Sequence, residues 1–156
     1  MHRPLSASEG SWQITKAAWS VSPKPAGFDR SYAVITPGGH CEIGIGIDVD
    51  RGEVVRFLVQ LQLMRTRYGS GTEAVARIDH NPAATMGHDV RREGIHVDVV
   101  LLDSAETTLY PRGGETVTSD LGVVIDLARR YFLSHHDYFI EVYRGETSQE
   151  NPPHWP

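Results

Sequence analysis

The sequence predicts an α+β domain: an antiparallel β-sheet of about five to seven strands, with one main C-terminal helix packed on one face. Two patterns carry that expectation. In residues 41–49, Cys41, Ile43, Ile45, Ile47 and Val49 alternate with Glu42, Gly44, Gly46 and Asp48, the period of two expected of a half-buried strand. In residues 118–134 the period changes. Leu121, Val124, Ile125, Ala128, Tyr131 and Phe132 recur at helical spacing behind Thr118, Ser119 and Asp120, whose side-chain oxygens suit a helix start.

The elements follow in order along the 156 residues. Residues 1–10 read as a flexible arm, 11–144 as a single domain and 145–156, rich in Pro, Ser, Gln and Asn, as a disordered tail. Residues 12–21 have strand-like composition with poor alternation, and Pro23 and Pro25 then break the chain. A strand over 32–36 turns at Pro37-Gly38-Gly39 into the strand over 41–49. Gly44 and Gly46 share one face of it, which fits strand curvature or close backbone approach; no helix follows them to make a phosphate-binding loop. Asp48-Val49-Asp50-Arg51-Gly52 reads as a hairpin turn, since the later ligands of a calcium loop are missing. The longest strand, 53–65, places Phe57, Val59, Leu61 and Leu63 on one face. Further strands are expected over 73–80, 94–103 and 107–110, and the helix over about 118–134. Residues 137–143 fit a short edge strand or more helix equally well.

Composition excludes some function classes. The formal charge of −5 argues against non-specific affinity for nucleic acid, which rests on neutralising phosphates. The single cysteine, Cys41, permits no intrachain disulfide and no cysteine-rich zinc site. It lies in phase with Ile43 and Ile45, as a small core residue would. No apolar run reaches the roughly 18 residues of a membrane span, and the N-terminus lacks a signal-peptide core, so a cytoplasmic setting with no membrane partner is expected.

Chemistry concentrates in residues 79–98, which hold three of the eight histidines with three aspartates and two arginines. The stretch runs from a strand end through a loop into the next strand, and loops held by rigid strands often carry function. Three readings suit it. His80 or His88 could serve as general base and another histidine as acid, with Arg91 or Arg92 holding a phosphate, as in metal-independent RNA cleavage. His96 and Asp98, two apart on one strand face, could hold Zn²⁺ or Mn²⁺ with His80 or His88. Alternatively the cluster is structural, with capping aspartates, paired arginines and half-buried histidines.

The long strand Val54-Val-Arg-Phe-Leu-Val-Gln-Leu-Gln-Leu63, then Val75-Ala-Arg-Ile-Asp79, Gly87-His88-Asp89, Gly94-Ile-His96-Val-Asp98 and the helix, resembles TumE-like toxins and their uncharacterised relatives over residues 53–135. Arg77 and Asp79 match that family's arginine and aspartate, and His96-x-Asp98 stands where it has a histidine pair. The resemblance implies a toxin–antitoxin setting, an RNA substrate and a cognate antitoxin partner. The enzyme reading then gathers Asp79, His80, His88, Arg91, His96 and Asp98 around one site, with no cofactor expected beyond a divalent metal. The other reading is a non-catalytic binding or accessory module of a larger assembly, self-associating or not.

Overall fold

A computed structural model describes residues 24–64, 72–103 and 105–156. Within them the chain forms β1 (Arg30–Ile35), β2 (Cys41–Asp50), β3 (Glu53–Met64), β4 (Thr72–His80), a single helical turn α1 (Val90–Glu93), β5 (Val97–Val100), β6 (Glu106–Leu109) and α2 (Leu121–Arg144). The six strands make one antiparallel sheet in sequence order. This is the α+β arrangement read from the sequence. The expected arm at 1–10 and the strand-like segment at 12–21 lie outside the described residues.

The β2–β3 hairpin closes through Arg51 and Gly52, whose φ values of 53° and 80° match a primed turn, the form whose twist suits paired strands. Alternation then sorts the side chains. Cys41, Ile43 and Ile45 join Phe57, Val59, Leu61, Ala76, Ile78, Val97 and Val99 in one core, with Ile47 at its margin. Burial of Cys41 pushes its thiol up to about 11. Gly46 lies against the Phe28 ring, which a Cβ there would strike at 2.4 Å, so at this glycine it is a side chain that comes close.

Helix α2 starts at Asp120, whose side chain accepts the N–H groups of Gly122 and Val123. Leu121, Val124, Ile125, Ala128 and Phe132 turn inward, and the helix packs chiefly across β3 and β4. It does not end near residue 134. His135 departs from helical geometry at φ −128°, ψ 20°, and the chain then resumes helix to Arg144, stopped by Gly145 in the left-handed region. Residues 137–143 are therefore helix, with Phe139, Ile140, Val142 and Tyr143 buried. No described helix is long and apolar enough to cross a membrane.

The final segment departs from the expected disordered tail. Trp155 is 4 % exposed and packs 5.2 Å from the Tyr131 ring. Its N–H donates to Arg112 O at 2.8 Å, while Tyr131 Oη donates to Pro153 O at 2.6 Å. Polar composition concealed one aromatic anchor, enough to dock the end of the chain.

Candidate functional site

Asp79 and His80 end β4, and strand alternation sends them to opposite faces. His80 pairs across the ladder with Phe57 and stacks on its ring at 5.7 Å. Its Nδ1 accepts the Val90 N–H at 3.1 Å, which fixes the start of α1. Burial holds the His80 imidazole below its ordinary pKa, in keeping with an accepting, neutral ring. The loop over 81–89 closes where Asn81 N–H donates to His88 O at 2.8 Å. Gly87 makes that closure fit, because a Cβ would lie 1.9 Å from Asn81 O. Asp89 caps α1 by accepting the Arg91 N–H, and Gly94, with φ +78°, turns the chain toward β5. Each step orients His88 and Glu93 toward the sheet face that carries Asp79.

On that face His88 sits between two groups of acids. Its Nε2 lies 3.3 Å from Asp98 Oδ2 and 4.0 Å from Asp79 Oδ1. Its Nδ1 lies 3.4 Å from Glu93 Oε1, which is also 3.7 Å from His96 Nδ1. The His88 and His96 rings meet edge to face at 4.9 Å, and His96 meets Tyr110 likewise at 4.9 Å. Behind them the cross-strand pair Arg77–Asp98 brings guanidinium Nε within 3.9 Å of Asp98 Oδ2, and Thr108 Oγ1 donates to Asp98 Oδ1 at 2.8 Å. Exposure grades outward, with Asp98 at 2 %, His88 at 21 % and Glu93 at 41 % of their side chains. Among the described residues, His88 Nε2 and Asp98 Oδ2 face each other as an ion pair without an aligned hydrogen bond.

The electrostatics separate the members. The Asp98 carboxylate raises His88 to about 9, outweighing the cost of its burial, with Asp79 and Glu93 adding to the effect. Burial pushes the Asp79 carboxyl up, and Arg77 only partly offsets this. Asp98 is buried too, but His88, Thr108 and Arg77 together hold its carboxyl below the usual range. Two carboxyls flanking one imidazole are thus driven in opposite directions, a pattern that acid–base sites share.

Two groups of donor atoms in this cluster lie within 4.8 Å of one another: His88, Glu93 and His96 outside, and Asp79, His88 and Asp98 inside. Two imidazoles and a carboxylate suit Zn²⁺ or Mn²⁺, whose ligand bonds of about 2.0–2.2 Å can span such gaps with small side-chain shifts. The inner group already has the Arg77 guanidinium beside it, so the outer group is the better cation site.

Of the six residues expected to share a site, Asp79, His88, His96 and Asp98 come together and two do not. His80 lies on the helix-covered face. Arg91 projects from α1 so that its Nη2 donates to Ser119 O at 2.8 Å, away from the cluster. Sequence reading passed over Glu93, Thr108 and Tyr110, and named Arg77 only for its family resemblance, outside the expected site. Arg77 shares the face of Asp79, two residues away, and Glu93 stands three residues before His96, spacings that could have flagged both.

Fold and site together define a small antiparallel α+β domain with a histidine–carboxylate cluster at one sheet face. The chain belongs to the family described as Domain of unknown function (DUF7718), which matches residues 32–149 and so contains the entire cluster. No match links it to TumE-like toxins. Neither a curated protein nor a solved structure matches the chain.

Proposed function

We propose that this domain is a divalent-metal-dependent hydrolase, with Zn²⁺ or Mn²⁺ held by His88 Nδ1, Glu93 Oε1 and His96 Nδ1. The observation that carries the reading is the convergence of these three donors at a partly exposed position, with the second nitrogen of His88 backed by a buried carboxylate. Metal-binding histidines are commonly braced in this way, which fixes the ring and raises its basicity. Asp98 does the bracing, Thr108 holds Asp98, and Arg77 balances the buried charge. Three protein ligands leave room for water, and a bound ion would supply Lewis acidity and a more acidic water.

A second reading follows from the opposed carboxyl shifts. His88, charged at neutral pH, would act without metal as general acid and anion binder on a phosphodiester. The RNA-cleaving toxin, with its antitoxin partner, is one form of that reading. One assay separates the two: cleavage of bis-p-nitrophenyl phosphate and of a short single-stranded RNA, before and after chelation. Loss of activity with chelator and recovery with Zn²⁺ or Mn²⁺ is expected. Activity unchanged by chelator would transfer the proposal to the acid–base site. No turnover under either condition would make the domain a binding or accessory module.

A further inference from the structure

Tyr110 has a second neighbourhood besides His96. It lines, with Arg112, Glu150, Asn151, Pro152 and His154, a cavity of about 300 Å³, at the small end of the range that ligand pockets occupy. One wall is the segment after β6 and the other is the end of the chain, which is held in place by hydrogen bonds with that segment, with α2 and with β6 itself. Trp155 N–H donates to Arg112 O, Tyr138 Oη donates to Ser148 O at 3.0 Å, and Thr107 Oγ1 donates to Gln149 Oε1 at 2.7 Å. The His154 ring rests on Gly113, where a Cβ would strike its Cε1 at 2.4 Å. His154 Nδ1 lies 2.7 Å from Trp155 O, so the ring is anchored through that nitrogen and Nε2 is left for another partner.

The lining is varied in a useful way. Tyr110 is 64 % exposed and offers an aromatic face. Arg112 takes part in no ion pair among the described residues, although its guanidinium is the group best suited to a phosphate. Asn151 can both donate and accept, and Glu150 can accept from hydroxyls or amines. A ring to stack on, a cation for phosphate, an amide for a base edge and a carboxylate for a sugar diol match one ligand class.

We propose that this cavity binds a nucleotide with its base on Tyr110 and its phosphate at Arg112 and His154, either as a free mononucleotide or as the 5′-phosphorylated end of a single strand. The ring of Tyr110 that would stack the base also touches His96, so the nucleotide lies beside the histidine–carboxylate cluster. The inference adds a substrate class to the hydrolase reading but rests on residues other than the three metal ligands.

Isothermal titration tests it with five probes: adenosine 5′-monophosphate, adenosine, inorganic phosphate, and an octanucleotide in 5′-phosphorylated and unphosphorylated forms. The monophosphate should bind more tightly than adenosine or phosphate. Arg112→Gln should weaken it by about tenfold or more while leaving adenosine unchanged. Tyr110→Ala should weaken monophosphate and adenosine alike, and Gly113→Ala, which displaces His154, should weaken the monophosphate. Preference for the phosphorylated octanucleotide over the monophosphate would assign the site to strand ends, and the reverse to free nucleotides. Equal binding of phosphate and monophosphate, or no effect of Arg112→Gln, would overturn the proposal. Zn²⁺ titration of the same variants keeps the two claims apart. Arg112→Gln should bind Zn²⁺ like the wild type; nucleotide binding without Zn²⁺ binding would sink the metal reading alone, and the converse result this one alone.

Discussion

Val59, Ile78 and Val99 lie on one face of the sheet and Gln60, Arg77 and Asp98 on the other, yet all six are sequestered from water. On the first face burial is itself favourable, because apolar surface leaves water against α2. On the second, each buried polar group loses hydration and must recover it from a partner. Asp98 recovers it from Thr108, His88 and Arg77. The contrast separates two tasks: the helix face supplies most of the stability, and the polar face uses some of it to hold charged groups in fixed positions. Asp79 and His80, adjacent in the chain, fall on either side of that division.

Substitutions sharpen the comparison. The largest effect is expected from Ile45→Asp, which places a charge in the apolar core at a fully buried site. Its cost should rival the whole folding free energy of about 5–15 kcal/mol, and circular dichroism should show no cooperative melting. Next come two neighbours in β5. Val99→Ala should cost about 2 kcal/mol through lost burial and a cavity, at any pH. Asp98→Asn should cost roughly 3 kcal/mol by leaving His88 and Arg77 without their shared carboxylate. That second cost should shrink as His88 loses its proton above about pH 9. Denaturant melts of both variants across pH separate the faces; equal pH profiles would contradict the division.

Titration of the two histidines gives a smaller but sharper contrast. His88, raised to about 9, contributes stability that is fully present below its unfolded value near 6.5 and is lost as pH rises toward 9. His80, lowered by burial, contributes stability present above 6.5 and lost as pH falls below it. NMR titration should find the two values on either side of 6.5. Smallest of all, Cys41, buried with its thiol raised to about 11, should resist a thiol reagent until the chain unfolds.

What was legible in the sequence follows the same line. The apolar face could be read, since Cys41, Ile43 and Ile45 repeat with the period of a strand and Leu121, Val124, Ile125 and Ala128 with that of a helix. The helix end could not. Phe139 and Ile140 suit either period, and the distortion at His135 interrupts the pattern. The strand expected over 94–103 is shorter because Ile95 N–H donates to Gly114 O, outside the ladder. In the cluster, residue type flagged His88, His96, Asp79 and Asp98. Adjacency misled at His80, which alternation turns away, and Arg91 was lost because α1 is one turn of helix aimed at Ser119. Glu93 is the cluster member hardest to see, since nothing in its composition says that a single turn will place it between two imidazoles.

The central claim, that His88, Glu93 and His96 form one cation site, meets its most direct test in calorimetric titration of Zn²⁺ near neutral pH in two buffers of different ionisation enthalpy. One ion should bind per chain and release about one proton, because the metal must displace the Nδ1 proton of a His88 imidazolium whose charge Asp98 stabilises from the Nε2 side. Glu93→Gln and His96→Asn should each weaken that binding by an order of magnitude or more. Absence of saturable binding, or binding unchanged in both variants, would contradict the account.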